Sequence, residues 1–136
     1  MAESEKSKTT VLVVDDDASV LRVAGKVLRR AGYDVVEASG GPEALDLLKG
    51  RPDPVALLVT DVLMPGMGGR EVADAARELV PGLRVLFMSA YTEDQVVLRG
   101  VRVAQVSFLQ KPFSVVDLQN KVREVLSAPP DEAAPS

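Results

Sequence analysis

Five polar side chains each stand directly behind an apolar, β-branched run. Asp15 and Asp16 follow Thr10-Val11-Leu12-Val13-Val14, and Asp61 follows Leu57-Leu58-Val59-Thr60. Ser89 follows Leu83–Met88, and Lys111 follows Val106–Gln110. A carboxylate at the end of a buried strand is costly unless something there needs it. Three carboxylates in one pocket repel each other strongly unless a cation intervenes. The chain has no histidine and no cysteine, so the ligands on offer are hard oxygens, which suit Mg²⁺. One carboxylate can then act as nucleophile and become an acyl phosphate. An ammonium and a hydroxyl would contact the phosphoryl oxygens. The chemistry these residues suit is phosphoryl transfer onto a carboxylate. With no imidazole in the chain, any phosphohistidine chemistry belongs to a partner.

Taken singly, each group has a plainer reading. Asp15-Asp16-Asp17 suits a helix cap, and Asp61 before Pro65-Gly66 suits a turn. Lys111 and Ser89 suit a surface or loop, and Phe108 and Phe113 suit the core. The joint pattern, one polar group after each of several buried strands, is harder to assign to caps and turns.

The elements that must position these groups alternate. Thr10–Val14 reads as a strand buried on both faces. Behind it, Val20, Val23, Ala24, Val27, Leu28 and Ala31 form a helical stripe, with Asp17 as N-cap and Gly32 as stop. Asp34–Ala38 is a second strand, and Pro42 opens a short helix bearing Ala44, Leu45 and Leu48. Val55–Thr60 is the third strand, followed by a helix on Val72, Ala75, Ala76 and Leu79. Leu83–Met88 is the fourth strand. The fourth predicted helix starts at a Thr92–Gln95 capping box but is β-branched and broken by Gly100, so it is expected to be the least stable. Val106–Gln110 is the fifth strand, and Ser114 caps a last helix striped by Val115, Leu118, Val122, Val125 and Leu126. Strand followed by helix, five times over, predicts an α/β fold with a parallel sheet covered on both faces. In such sheets the site lies at the carboxyl ends of the strands.

The totals agree with one domain of ordinary composition. The chain has 136 residues, 46% hydrophobic and 26% charged, with a net charge of -4. The acidic balance argues against a nucleic-acid surface. No apolar run approaches the length of a membrane helix, and the polar start lacks a signal-peptide core. The expectation is a cytoplasmic protein with no membrane partner. Residues 1–9 are expected to be a disordered lead-in, 10–127 the folded domain, and 128–136 a disordered tail or linker stub.

Together these residues resemble the receiver domains of two-component response regulators, over about residues 10–127. Val13-Val14-Asp15-Asp16 is similar to the family's acidic pair, and Thr60-Asp61 with Met64-Pro65 to its phosphoacceptor loop. Ser89-Ala90 resembles the switch hydroxyl and its small neighbour, and Lys111-Pro112-Phe113 the family's Lys-Pro-Phe, where the Lys-Pro bond is usually cis. The resemblance implies a flavodoxin-like (βα)5 three-layer sandwich with strand order 2-1-3-4-5. It also implies Asp61 as the phosphorylated residue, Asp16 as a direct Mg²⁺ ligand and Asp15 as one acting mainly through water. The Leu63 backbone carbonyl is implied as the third protein ligand, and Phe108 as the switch aromatic. The implied donor is a histidine kinase or a histidine phosphotransfer protein, and the readout is an unnamed protein partner. The implied signalling face comprises the fourth predicted helix, the fifth strand and the last helix.

Two departures bear on this. Gly68-Gly69 replaces the usual Asp-Gly, which predicts a looser loop and a poorer cap on the third helix. Leu63 and Tyr91 are bulky beside the path of an attacking water. The strings around Ser89 and Lys111 look most like receivers attached to hybrid histidine kinases. The domain is read as a phosphoacceptor and not an enzyme. Two rivals remain: a haloacid dehalogenase-type phosphatase using Asp15-x-Asp17, and a flavodoxin-like flavin binder, in which three acids after the first strand would repel the phosphate.

Overall fold

The computed structural model describes residues 9–51, 54–90 and 107–127. Five strands, β1 (Thr10–Val14), β2 (Asp34–Ala38), β3 (Leu57–Asp61), β4 (Arg84–Ser89) and β5 (Ser107–Gln110), form one sheet in the order β2-β1-β3-β4-β5. Every neighbouring pair is parallel. The helices among the described residues are α1 (Ala18–Arg30), α2 (Gly41–Gly50), α3 (Gly69–Leu79) and α4 (Val115–Ser127). The expected fold class and strand order are therefore observed. Of the expected lead-in over 1–9, residues 1–8 lie outside the described residues, as do the helix after Thr92, Tyr91 and the tail over 128–136; Thr9 is described, and its carbonyl accepts the Asp34 N–H at 2.9 Å.

Alternation along the strands divides the core in two. Leu12, Val14, Leu58, Val85 and Phe87 face a cluster completed by Ala44 and Leu48 of α2 and Val72, Ala73 and Ala76 of α3. Val11, Val13, Leu57, Val59, Leu86 and Met88 face Leu21, Ala24 and Leu28 of α1 and Leu118, Val122 and Val125 of α4. A parallel sheet covered on both faces needs apolar residues at successive positions, which is why these strands read as unbroken runs.

Three predicted stripes shift. On α3, Leu79, in the last turn, is 42% exposed, while Ala73, outside the predicted stripe, is buried. On α1, Val23 is 53% exposed while Leu21, outside the predicted stripe, is buried. Gly25 is buried on the same face, and a β-carbon there would meet only the ends of the Glu37 and Arg29 side chains. On α4, Val115 is likewise 53% exposed, because it sits in the first turn, before the first buried residue, Leu118. The caps are as predicted. The Asp17 carboxylate accepts the Ser19 N–H at 2.8 Å, and the Ser114 hydroxyl accepts the Asp117 N–H at 3.0 Å.

Candidate functional site

The register brings the carboxyl ends of the strands level. Val14 pairs with Thr60, Asp61 with Met88, and Ser89 with Gln110. The residues one step further along β1 and β5 are Asp15 and Lys111. Backbone bonds continue the ladder into this rim: the Asp15 N–H donates to the Ala38 carbonyl at 3.1 Å, Val62 to Met88 at 2.9 Å, and Lys111 to Ser89 at 2.8 Å. Lys111-Pro112 is a cis peptide bond. Side chains separated by up to 96 positions thus meet at one edge.

The Asp15 carboxylate is fully buried. One of its oxygens accepts the Asp17 N–H at 2.9 Å, and the other accepts from Lys111 Nζ at 2.7 Å. Lys111 Nζ also lies 3.6 Å from Asp61 Oδ1. Asp61 is 8% exposed. One carboxylate oxygen from each of Asp15, Asp16 and Asp61 falls within 4.8 Å of the others. Two such charges repel by roughly 3 kcal/mol at an effective dielectric of about 20. Lys111 supplies one positive charge against three negative ones.

Asp61 shows the imbalance. Burial, and then the Asp15 and Asp16 charges, push its carboxyl up to about 6, against the opposing pull of Lys111. The ionised form of Asp61 is thus disfavoured first by burial and then by its acidic neighbours, and Lys111 offsets only part of this. Three convergent oxygens, one fully buried, with no nitrogen or sulfur donor, fit a small hard divalent cation such as Mg²⁺.

Each predicted site residue can be placed except where its role depends on a backbone carbonyl or a motion. Asp15, Asp16, Asp61 and Lys111 converge. Ser89 ends β4 and is fully buried. Phe108 sits in β5, half-buried, and packs on the α2–α3 side of the sheet opposite Phe87. Leu63 packs its half-buried side chain against that same cluster. Two further residues shape the site. The Thr60 hydroxyl, fully buried, donates to the Asp61 carbonyl at 3.0 Å. Gly69 lies on that same carbonyl, which a β-carbon would strike. The Gly-Gly pair was visible in the sequence, but the contact that demands Gly69 is tertiary.

As expected, Gly68 supplies no side-chain cap to α3. Its N–H is taken by the Glu71 carboxylate at 2.8 Å, half of a capping box. The loop is nonetheless closed, because the Gly69 N–H donates to the Val62 carbonyl at 2.8 Å.

Residues 11–123 match the response regulator receiver domain family. The chain belongs to this family. Such receivers are phosphorylation-dependent switches of two-component signalling, taking phosphoryl groups from histidine kinases or phosphotransfer proteins. The chain is 36% identical over 117 residues to sensor kinase CckA of Brucella abortus (strain 2308), covering 86% of this chain but 12% of that protein. It is 32% identical over 118 residues to response regulator receiver protein CpdR of the same strain, covering 87% of this chain and 97% of that one. Among solved structures, the receiver domain of hybrid histidine kinase CckA is similar at TM-score 0.73 and 33% identity, covering 87% of this chain and 99% of that chain. Chemotaxis protein CheY4 of Vibrio cholerae is similar at TM-score 0.77 and 29% identity, covering 88% and 99%. Relatives thus include both a receiver of about this length and a long kinase of which this chain spans a small part.

Nothing in these receiver relatives favours the phosphatase rival. The second acid of its motif, Asp17, is spent on capping α1. No helix among the described residues is long and apolar enough to cross a membrane.

Proposed function

We propose that Asp61 is the phosphoacceptor of this receiver, charged by the phosphohistidine of a histidine kinase or phosphotransfer protein. The observation that carries this is the Asp61 carboxylate, buried against Asp15 and Asp16 and 3.6 Å from Lys111 Nζ. An Asp61 oxygen attacks phosphorus as the P–N bond to the donor imidazole breaks, and the imidazole keeps the electron pair. Asp16 and Asp61 would hold Mg²⁺ directly, with the Leu63 carbonyl, and Asp15 through water. The cation supplies charge neutralisation for the phosphoryl oxygens.

This chain's own residues do the rest. Burial excludes bulk water from Asp61. Lys111, now on Asp15 at 2.7 Å and already near Asp61, is placed to pair with a new phosphoryl oxygen. Ser89 at the end of β4 hydrogen-bonds another, and Phe108 on the neighbouring strand responds to that movement. The face comprising the helix predicted after Thr92, β5 and α4 then passes the change to a protein partner. The domain acts as an acceptor, loaded and unloaded, rather than as an enzyme turning over a substrate.

The test is to incubate the chain with Mg²⁺ and a small phosphodonor and read its intact mass. One added phosphate is expected in the unmodified chain and none in Asp61→Asn. Labelling that persists in Asp61→Asn would remove the assignment.

A further inference from the structure

The segment after Asp61, residues 62–68, carries Leu63, whose carbonyl the proposal above gives to the cation. Its base is closed by the Gly69–Val62 backbone bond at 2.8 Å, and its tip by Met67 N–H to the Pro65 carbonyl at 3.0 Å. Gly66 takes the positive φ, 79°, that this tight tip requires. The Met67 side chain leaves the tip and packs into the α2–α3 cluster.

It reaches that cluster through a gap at Gly41, the first residue of α2, which is buried. A β-carbon on Gly41 would stand 2.5 Å from Met67 Sδ, 2.8 Å from Val72 Cγ2 and 3.0 Å from Met67 Cβ. Real β-carbons do not approach other atoms so closely. Gly41 is helical, so its backbone does not call for glycine, and alanine would be the better helix former. What the position requires is the space. The wall is also fixed: the Glu43 carboxylate accepts the Ser39 N–H at 2.8 Å and the Ser39 hydroxyl at 2.9 Å, and Pro42 sits in the first turn.

Resting on the phosphoacceptor reading, we infer that Met67 is a positioning residue for the cation site. Seated in the notch left by Gly41, it clasps segment 62–68, and with it the backbone after Asp61, against the first turn of α2. Close-packed contacts of this kind transmit small displacements, and supports behind metal ligands commonly govern affinity.

The experiment is a calorimetric Mg²⁺ titration of the unmodified chain, Gly41→Ala, Met67→Ala and Met67→Leu, alongside phosphodonor labelling of each. Gly41→Ala and Met67→Ala are each expected to lose about tenfold in Mg²⁺ affinity, and Met67→Leu, which still fills the notch, to lose less. A folded Gly41→Ala chain that binds Mg²⁺ like the unmodified one overturns the clasp. If Gly41→Ala does not fold, Met67→Leu decides: affinity kept by Leu and lost by Ala supports the clasp, and affinity kept by both overturns it. Unmodified chain that binds Mg²⁺ but takes no label removes the phosphoacceptor reading, while the affinity series still judges the clasp. Labelled chain with unchanged variants removes the clasp alone. Unmodified chain that binds no Mg²⁺ removes both.

Discussion

The two ends of the parallel sheet are built on opposite terms. At the amino ends the backbone closes on itself: Asp34 N–H donates to Thr9 at 2.9 Å, Ala56 to Thr10 at 2.9 Å, and Arg84 to Ala56 at 3.4 Å. The charged pair there, Arg51–Asp34, is long at 3.8 Å, with Asp34 half-exposed and the Arg51 side chain 25% exposed. At the carboxyl ends Asp15, Asp61 and Ser89 are buried, and acids outnumber the one lysine. The first arrangement favours folding. The second works against folding in the absence of a cation or phosphate and makes sense as a binding site. One sheet thus carries a stabilised end and a primed end, joined by the apolar layers between them.

The largest expected effect lies in those shared layers. Leu58→Ala, fully buried on β3, should cost about 2–5 kcal/mol in urea unfolding, with or without Mg²⁺. A loss that depended on Mg²⁺ would mean that the layers and the primed end are not separable.

Next, Asp61→Asn should stabilise the Mg²⁺-free protein at pH 7, by up to about 3 kcal/mol, since each unit of raised pKa is worth about 1.4 kcal/mol. The sign follows from proton binding. The folded state holds the Asp61 proton up to about pH 6, whereas the unfolded chain releases it near 3.8. Folding therefore binds a proton between those values, and this group's cost grows as pH rises through them. The gain from Asp61→Asn should accordingly shrink to well under about 1 kcal/mol at pH 4 and vanish by about pH 3. Equal gains at pH 7 and pH 4 would show that burial of charge is not the cause.

Mg²⁺ should raise the unfolding free energy of the unmodified chain at pH 7 by about 1.4 kcal/mol for each tenfold excess over its Kd. At pH 4, where Asp61 keeps its proton, it should do little, and a pH-independent gain would place the cation elsewhere. Smallest of all, Arg51→Ala at the amino end should change stability by less than about 1 kcal/mol, because the pair is long, its partner is half-exposed, and the packing lost is offset by removing a buried Nε that has no hydrogen-bond partner among the described residues. A larger loss would mean that the quiet end also depends on charge.

Much of this was legible beforehand. The strands were, because a parallel sheet covered on both faces leaves unbroken apolar runs. Asp15, Asp16, Asp61, Ser89 and Lys111 were, because each directly follows such a run. Leu21 replacing Val23 on the buried face of α1 was not, since both are apolar and only packing against the sheet decides which is covered. The notch at Gly41 was hidden because hydrophobicity does not weigh an absent side chain.

The amino-acid order alone determined which elements form and which side chains end the strands, because periodicity and strand termini are local properties of a chain. Only the tertiary structure decided that Lys111 rests on Asp15, that Asp61 is pressed up to about 6, and that Gly69 and Gly41 must be bare. Those facts depend on distances between residues far apart in the chain, and charge repulsion and packing act through distance in space.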